Sequence, residues 1–423
     1  MGKTMDILPE DQKYWSYLKK NIRYRLREAS FQRIYTSLIL SKDEVKKVMN
    51  VSYLKDRVIT FGTNEGEKFI LNDLSIGILK NYAKHKMNEG MQPRELFSMD
   101  PIFYTDEDGV FTSEFVFDFE VVGERDAALD AQVISRAYKI LTDMGLKDYI
   151  ELKINNIGGS DSRKKIDTEL CNYYFDKLRT LPEKYKKMFD EGKYLGLLSG
   201  DDEDLEILSK MAPKPKDYVS EDDKKYYEVL REYLTEMRVP FVEDFCYVDT
   251  RLMYTGPLFC FAEKGTKNAL VKGGRYDDSL GDFTDISAPA CGAVGNMNKI
   301  VDLLKRSNID VPFKDKIQVY VAQLGLRAKK KSLSLLEDLR DTGIHTMGSI
   351  GKSTIKSQLE LAAFYKADYC LLLGDQEVID GAIILKDLKK GSQETVPYKN
   401  ILKRVVDKIG KNNITHYRDI IDE

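Results

Sequence analysis

The stretch ELFSMDPIFYTDEDGVFTSEFVFDFEVVGE, residues 95–124, decides how the chain is read. Within it Phe115, Phe117, Phe119 and Val121 alternate with partly polar neighbours, the period of two that turns one face of a strand toward a core. Beyond Gly123, Leu129 to Met144 reads as a helix stopped by Gly145, and Tyr149 to Ile154 as a further strand. Upstream, Trp15, Leu18, Ile22 and Leu26 recur at helical spacing within residues 10–29, entered through Pro9. Strands and helices without a repeating βαβ unit predict an α+β fold: an antiparallel sheet flanked by helices.

Further along, residues 160–238 are rich in Lys, Glu and Asp with helical patterning and a polar break at Ser199 to Asp204, which predicts a helical insertion. Strands are expected to resume near Phe245. After a polar linker, Lys305 to Lys314 with Pro312, the pattern becomes strand Ile317 to Leu324, helix Arg327 to Asp341, helix Thr354 to Lys366, strand Tyr369 to Leu373 and strand Ala382 to Leu385. That is a compact C-terminal α/β domain. A chain of 423 residues exceeds what one core usually organises. The expected division is residues 1–159 with 239–310 as the body, 160–238 as the insertion, and 314–423 as the C-terminal domain.

Composition is that of an ordinary globular protein, 42% hydrophobic and 32% charged, which argues against disorder. No apolar run is long enough to span a bilayer, and residues 1–10 lack the apolar core of a signal peptide, so a cytoplasmic location without membrane association is expected. The five cysteines (Cys171, Cys246, Cys260, Cys291, Cys370) contain no C-x-x-C pair, which fits a reducing compartment and offers no zinc site. They read as small buried hydrophobes. His85, His345 and His416 are scattered, so no metal site and no triad is expected. The net charge of -3 divides into +4 for residues 314–423 and -7 for the rest, which makes the tail the likelier partner of a polyanion.

Gly348 to Ser353 resembles the end of a phosphate-binding loop, but Thr346 stands where that loop needs glycine. A Gly/Ser-rich helix start explains it. Lys272-Gly273-Gly274-Arg275-Tyr276-Asp277-Asp278 pairs two glycines, which allow close backbone approach, with Arg275 and Asp277 beside them. Taken alone it reads as a tight turn between strands.

From Asp6-Ile7-Leu8-Pro9-Glu10-Asp11 to Val396-Pro397 the chain resembles bacterial histidyl-tRNA synthetases, class II ligases that form histidyl adenylate and transfer it to tRNA. Its anchors are Gly123-Glu124-Arg125-Asp126-Ala127-Ala128-Leu129-Asp130-Ala131 and Gly273-Gly274-Arg275-Tyr276-Asp277-Asp278. In the tail, Lys356-Ser357-Gln358-Leu359 and Leu372-Leu373-Gly374-Asp375 are similar to the family's anticodon-binding domain. The resemblance implies a six-stranded antiparallel catalytic sheet, an inserted helical domain, a five-stranded mixed anticodon domain and a homodimer. It also moves Gly273-Gly274 from a turn to a pocket wall.

The same resemblance locates the chemistry. The family's second motif places an arginine after a Pro-Met-Phe-like triplet; here Pro101-Ile102-Phe103 is followed by Tyr104. No Lys or Arg occurs in residues 95–124, whereas Glu95, Asp100, Asp106, Glu107, Asp108, Glu114, Asp118, Glu120 and Glu124 are acidic. Attack of a carboxylate on an α-phosphate joins two anions and depends on preplaced positive charge, each such donor being worth roughly 3–4 kcal/mol in the transition state. The family's Leu-Arg-Pro-Glu-Gly-Thr, whose Glu and Thr engage the amino group of histidine, falls on Leu71-Asn72-Asp73-Leu74-Ser75-Ile76. Its Arg-Gly-Leu-Asp-Tyr-Tyr-Thr falls on Asp249-Thr250-Arg251-Leu252-Met253-Tyr254-Thr255, with Asp249 where an arginine belongs. The third motif, Pro289 to Ile300, places Lys299 where an arginine clamps the triphosphate; lysine keeps the charge and loses the planar fork.

These departures predict a degenerate synthetase with no catalytic residues, acting as a tRNA-binding or regulatory subunit toward tRNA or a protein partner. A remnant pocket of Tyr254, Gly273, Gly274, Arg275, Tyr276 and Lys299 is expected, with Lys352, Lys356 and Lys366 facing RNA. No cofactor is expected, ATP and Mg²⁺ being required only if the chain is instead a divergent, active ligase. A third reading is the synthetase-like regulatory subunit of ATP phosphoribosyltransferase, against which the extra domain in residues 314–410 counts.

Overall fold

The structure, a computed structural model, describes residues 6–410 and 414 except 51–57, 64–65, 106–109, 201, 250–253, 312–316, 349–350, 352–353, and the side chains of 49, 50 and 283. The chain divides into two compact units, Met1–Val311 and Pro312–Glu423.

In the first unit the strands are β1 (Gln32–Arg33), β2 (Ile39–Leu40), β3 (Val58–Thr63), β4 (Gly66–Leu71), β5 (Arg94–Thr105), β6 (Phe111–Val122), β7 (Ile150–Asn156), β8 (Val242–Glu243), β9 (Pro257–Glu263), β10 (Ala269–Arg275) and β11 (Ala290–Asn296). The main sheet runs β1-β5-β6-β11-β10-β9-β7-β8. Its six central strands are all antiparallel, and the two-residue strands β1 and β8 add at the edges in parallel. The six-stranded antiparallel sheet is therefore present with two short edge additions. The strand expected near Phe245 is only β8, because Asp244 accepts a hydrogen bond from the Cys246 amide at 3.1 Å and turns the chain.

One face of the sheet is roofed by helices α1 (Gln12–Glu28) and, further along the chain, those at Ala127–Asp143, Glu221–Glu236 and Met297–Arg306. Trp15, Leu18, Ile22 and Leu26 of α1 are all buried, and Trp15 meets Phe115 edge to face at 5.4 Å. Beneath them lie Phe97, Phe117, Phe119, Phe259, Phe261 and Val271. Each such side chain contributes about 1.5–3 kcal/mol by leaving water, so the alternation seen in residues 115–121 is what seats the sheet.

The remaining helices of this unit are α2 (Lys42–Asn50), α3 (Leu74–Lys84), α4 (Ala127–Asp143), α5 (Ser160–Phe175), α6 (Glu183–Asp190), α7 (Glu203–Met211), α8 (Glu221–Glu236), α9 (Ser279–Phe283) and α10 (Met297–Arg306). Helices α5 to α8 occupy residues 160–236. Tyr227, Leu230 and Leu234 of α8 join the core under the sheet, whereas Ile166, Leu170 and Tyr174 of α5 join a second core with Leu71, Ile76, Tyr254 and Tyr276. This helical segment thus packs into both cores of the unit.

The second unit is a five-stranded mixed sheet, in the order β13-β12-β14-β15-β16: β12 (Val319–Leu324), β13 (Thr346–Gly348), β14 (Tyr369–Gly374), β15 (Ala382–Asp387) and β16 (Gln393–Pro397). Strands β13, β12 and β14 are parallel, and β15 and β16 continue antiparallel. Helix α11 (Leu326–Asp341) covers one face through Leu335 and Leu339, and α12 (Ile355–Phe364) the other through Ala362; α13 (Asp375–Ile379) and α14 (Ile401–Ile409) complete it. Gly348 ends β13, and Thr354 caps α12 by accepting from the Ser357 amide, while Ser349, Ile350, Lys352 and Ser353 lie outside the described residues.

Candidate functional site

Strand register sorts the side chains by face. One row across the face opposite the helix roof reads Ser98, Asp118, Val294, Lys272, Cys260 and Lys153; the next reads Leu96, Glu120, Gly292, Gly274, Leu258 and Asn155. Of the acidic residues in the 95–124 stretch, Asp100, Glu114, Asp118 and Glu120 share this face, Asp118 and Glu120 fully buried and Asp100 and Glu114 partly exposed. Glu95 pairs in register with Val121 and so belongs to the other side, while Asp106, Glu107 and Asp108 lie outside the described residues.

Gly273 and Arg275 are not walls of a pocket on that face. They occupy alternate positions of β10 with Val271 and so point under the sheet, because residues 269–275 form a strand rather than a turn. A Cβ at Gly273 would meet the Phe259 ring and the Gly292 carbonyl. Arg275, 1% exposed, donates from Nε to both Asp130 oxygens at 3.1 and 3.0 Å and from Nη1 to Asp277 at 2.8 Å. Tyr226 of α8 donates to the same Asp130 at 2.6 Å, and Arg125 bridges Asp277 and Asp223. This network ties α8 and α4 to the end of β10.

Gly274, Tyr254 and Tyr276 do converge. Together with Ser75, Glu120, Gly292, Ala293 and Val294 they line a recess that encloses no water-sized space. Ser75 Oγ donates to Asp118 Oδ2 at 2.6 Å, and the Tyr276 hydroxyl donates to Glu120. Leu74 and Ile76 are buried, and Asp73 is spent capping α3 at the Ile76 amide. Gly274 is required here: a Cβ would come within 2.8 Å of the Pro257 carbonyl and 3.0 Å of the Leu258 Cα, backbone atoms that cannot step aside. Gly274→Ala is expected to lower stability by about 1–3 kcal/mol, measured by urea unfolding.

Positive charge near this face comes from Lys299, which the third motif pointed to, and from Lys272 and Lys153, which the motifs did not single out. Lys272 lies 3.9 Å from Asp249, a nearly fully buried carboxylate, and Lys153 lies 3.5 Å from Asp244. Lys299, in the first turn of α10, is held below the usual lysine range by burial and by the neighbouring Lys272, with Glu114 opposing. The signal for Lys272 was its strand position, one residue before Gly273. Arg251 lies outside the described residues. Between Lys272 and Lys153, burial pushes the Cys260 thiol up to about 12, which leaves it protonated and inert.

In the second unit Lys356 and Lys366 are exposed, but they stand at the two ends of α12, about 15 Å apart along the axis. Lys366 follows the helix with a left-handed backbone (φ 53°). Between them the surface carries Glu360 and an exposed Phe364–Tyr365 pair in edge contact at 5.2 Å. Lys352 lies outside the described residues.

Among the described residues no helix is long and apolar enough to cross a membrane. Residues 3–300 match the family described as histidyl-tRNA synthetase, and residues 318–408 match the anticodon binding domain. A histidine–tRNA ligase of Dehalococcoides mccartyi strain 195 is 30% identical over 408 residues, covering 94% of this chain and 97% of the relative. One from Thermotoga petrophila is 28% identical, covering 97% and 98%. In fold, apo histidyl-tRNA synthetase of S. aureus superposes with TM-score 0.76 at 22% identity over 95% of this chain and 97% of that one. A Bacillus halodurans structure described as an ATP phosphoribosyltransferase regulatory subunit/histidyl-tRNA synthetase gives TM-score 0.61 at 18% identity over 88% and 96%. The antiparallel sheet, the mixed-sheet second unit and these end-to-end matches agree that the chain belongs to the histidyl-tRNA synthetase family.

Proposed function

We propose that this family member does not form an aminoacyl adenylate and instead acts as a cytoplasmic, homodimeric tRNA-binding or regulatory protein. The observation that carries this reading is the face of the sheet opposite the helix roof. Asp100, Glu114, Asp118 and Glu120 occupy it along β5 and β6, Tyr104 stands after the Pro-Ile-Phe triplet, and the recess is filled by Ser75, Glu120 and Tyr276. No cofactor need follow from such a site.

One observation favours a second reading, a divergent ligase using ATP and Mg²⁺. Lys272 and Lys299 put two ammonium groups on the face from strands and helices other than β5 and β6. Against it, Lys272 is paired with Asp249, the residue standing where the family has an arginine.

For the tRNA arm, the matched anticodon binding domain supports the reading. Binding measured at two salt concentrations is expected to weaken steeply as salt rises, and Lys356→Glu to lower the slope of log K against log salt by about one. Salt-independent binding, or an unchanged slope in the variant, would remove Lys356 from the interface. No binding at all would leave a protein partner as the regulatory target.

A further inference from the structure

At the C-terminal end of α12 two aromatic side chains stand in water. Phe364 is 75% and Tyr365 39% exposed, although Ala362 before them and Ala367 after them are buried. The two rings meet at 5.2 Å between centroids and 83° between planes, a contact that fixes their orientation and leaves most of the Phe364 ring uncovered. Lys366 follows in the left-handed region (φ 53°), where glycine is the usual residue after a helix. The turn between β15 and β16 is tied to this end of the helix. Its Leu388 amide donates to the Asp368 carbonyl at 3.0 Å, and Lys389 pairs with the Asp368 carboxylate at 2.7 Å. Asp368 stands three residues beyond Tyr365, no more than about 11 Å along the chain. Lys390 is exposed beside Lys389, and Asp387 accepts from the amides of both at 3.0 and 2.9 Å. Glu360 lies one turn before Phe364 on the helix.

We propose that this end of the second unit is a stacking platform for unpaired nucleotides of an RNA. A base lies on the Phe364 ring, steadied by Tyr365, while Lys366 and Lys390 neutralise the flanking phosphates. The proposal rests on the tRNA-binding reading above and names the way in which that RNA is held. Three chemical properties favour this occupant. Every base offers a flat π face, which an exposed aromatic ring accepts whatever the sequence. Each nucleotide also carries a phosphate, which matches ammonium groups set beside the ring. Within a double helix the base faces are hidden in the stack, so the segment that binds is single-stranded. A protein partner fits less well, because lysine is depleted where aromatic side chains centre a protein interface, and here Lys366, Lys389 and Lys390 lie near the pair.

Three substitutions separate the parts of the platform. Phe364→Ala removes the stacking face at a site with little packing to lose, since three-quarters of the side chain is already in water. Lys366→Gly removes one charge and gives the left-handed position the residue that suits it, so the fold is kept or strengthened. Phe364→Trp keeps a face for stacking and adds a reporter, the chain's own tryptophan, Trp15, being buried.

The test uses the full-length protein with a single-stranded RNA of about ten nucleotides, the same RNA in a duplex, and a tRNA. Phe364→Ala is expected to weaken single-strand binding by about 5- to 100-fold at every salt concentration, with the slope of log K against log salt unchanged. Lys366→Gly is expected to lower that slope by about 0.7 with no fall in thermal midpoint. The fluorescence that Phe364→Trp adds is expected to be quenched by the single strand and not by the duplex. Wild-type affinity in Phe364→Ala, with tRNA binding intact, overturns the platform and leaves the tRNA-binding reading standing. Failure of the wild type to bind either tRNA or the single strand overturns that reading and the platform with it. Equal binding of duplex and single strand overturns the stacking, and a Phe364→Trp signal that answers to vesicles of anionic phospholipid but not to RNA assigns this surface to a membrane and overturns the proposal.

Discussion

Arg275→Met is expected to destabilise the first unit by about 3–5 kcal/mol, because removing one partner of a buried ion pair leaves the other charge uncompensated. Asp130 is buried and Asp277 mostly so, and both point at the guanidinium. Tyr226 would lose the acceptor geometry that orders it, and with it the tie between α8 and the sheet. The double variant Arg275→Met/Asp130→Leu should recover much of the loss, since replacing a whole buried pair by apolar groups of similar volume is often neutral. Urea unfolding of the three proteins reads both effects. A single variant close to wild-type stability would mean that Arg275 serves a ligand and not the fold.

The second large effect concerns adenylate formation. A like-charge pair at ~4 Å and an effective dielectric near 20 costs about 4 kcal/mol, roughly a thousandfold in rate. On the proposed reading the reacting anions would meet carboxylates along β5 and β6, where partial burial raises the Asp100 carboxyl above its ordinary range. Restoring one charge does not undo this. Tyr104→Arg alone is expected to leave exchange at background, because Asp249, Leu74 and Ile76 are unchanged and the recess stays filled. A wild-type-synthetase rate from that single variant would contradict the view that several sites were lost together.

The backbone architecture was legible where periodicity is strong. Trp15, Leu18, Ile22 and Leu26 mark α1 and are all buried; of the phenylalanines that mark β6, Phe117 and Phe119 are buried and Phe115 partly so. Residues 269–275 were harder: two glycines and flanking charges look like a turn, and only the register with β9 and β11 shows a strand, which moves Arg275 and Gly273 to the opposite face from Lys272 and Gly274. That one-residue alternation decided which side chains could line a site. Short elements such as β13 and α13 carry too few residues for a period to register. The acidic positions of β6 were visible as lost positive charge. Their second role, Glu120 lining the recess with Ser75 and Tyr276 while Asp118 accepts from Ser75, depends on contacts from α3 and the end of β10 that no local pattern encodes.

Histidine-dependent exchange of pyrophosphate into ATP, run on the purified full-length protein beside an active histidyl-tRNA synthetase, tests the central claim most directly. The expected result is a rate at least about a thousandfold below the active enzyme and unchanged by histidine. Clear histidine-dependent exchange would contradict it and make the chain a divergent ligase that draws its positive charge from Lys272 and Lys299.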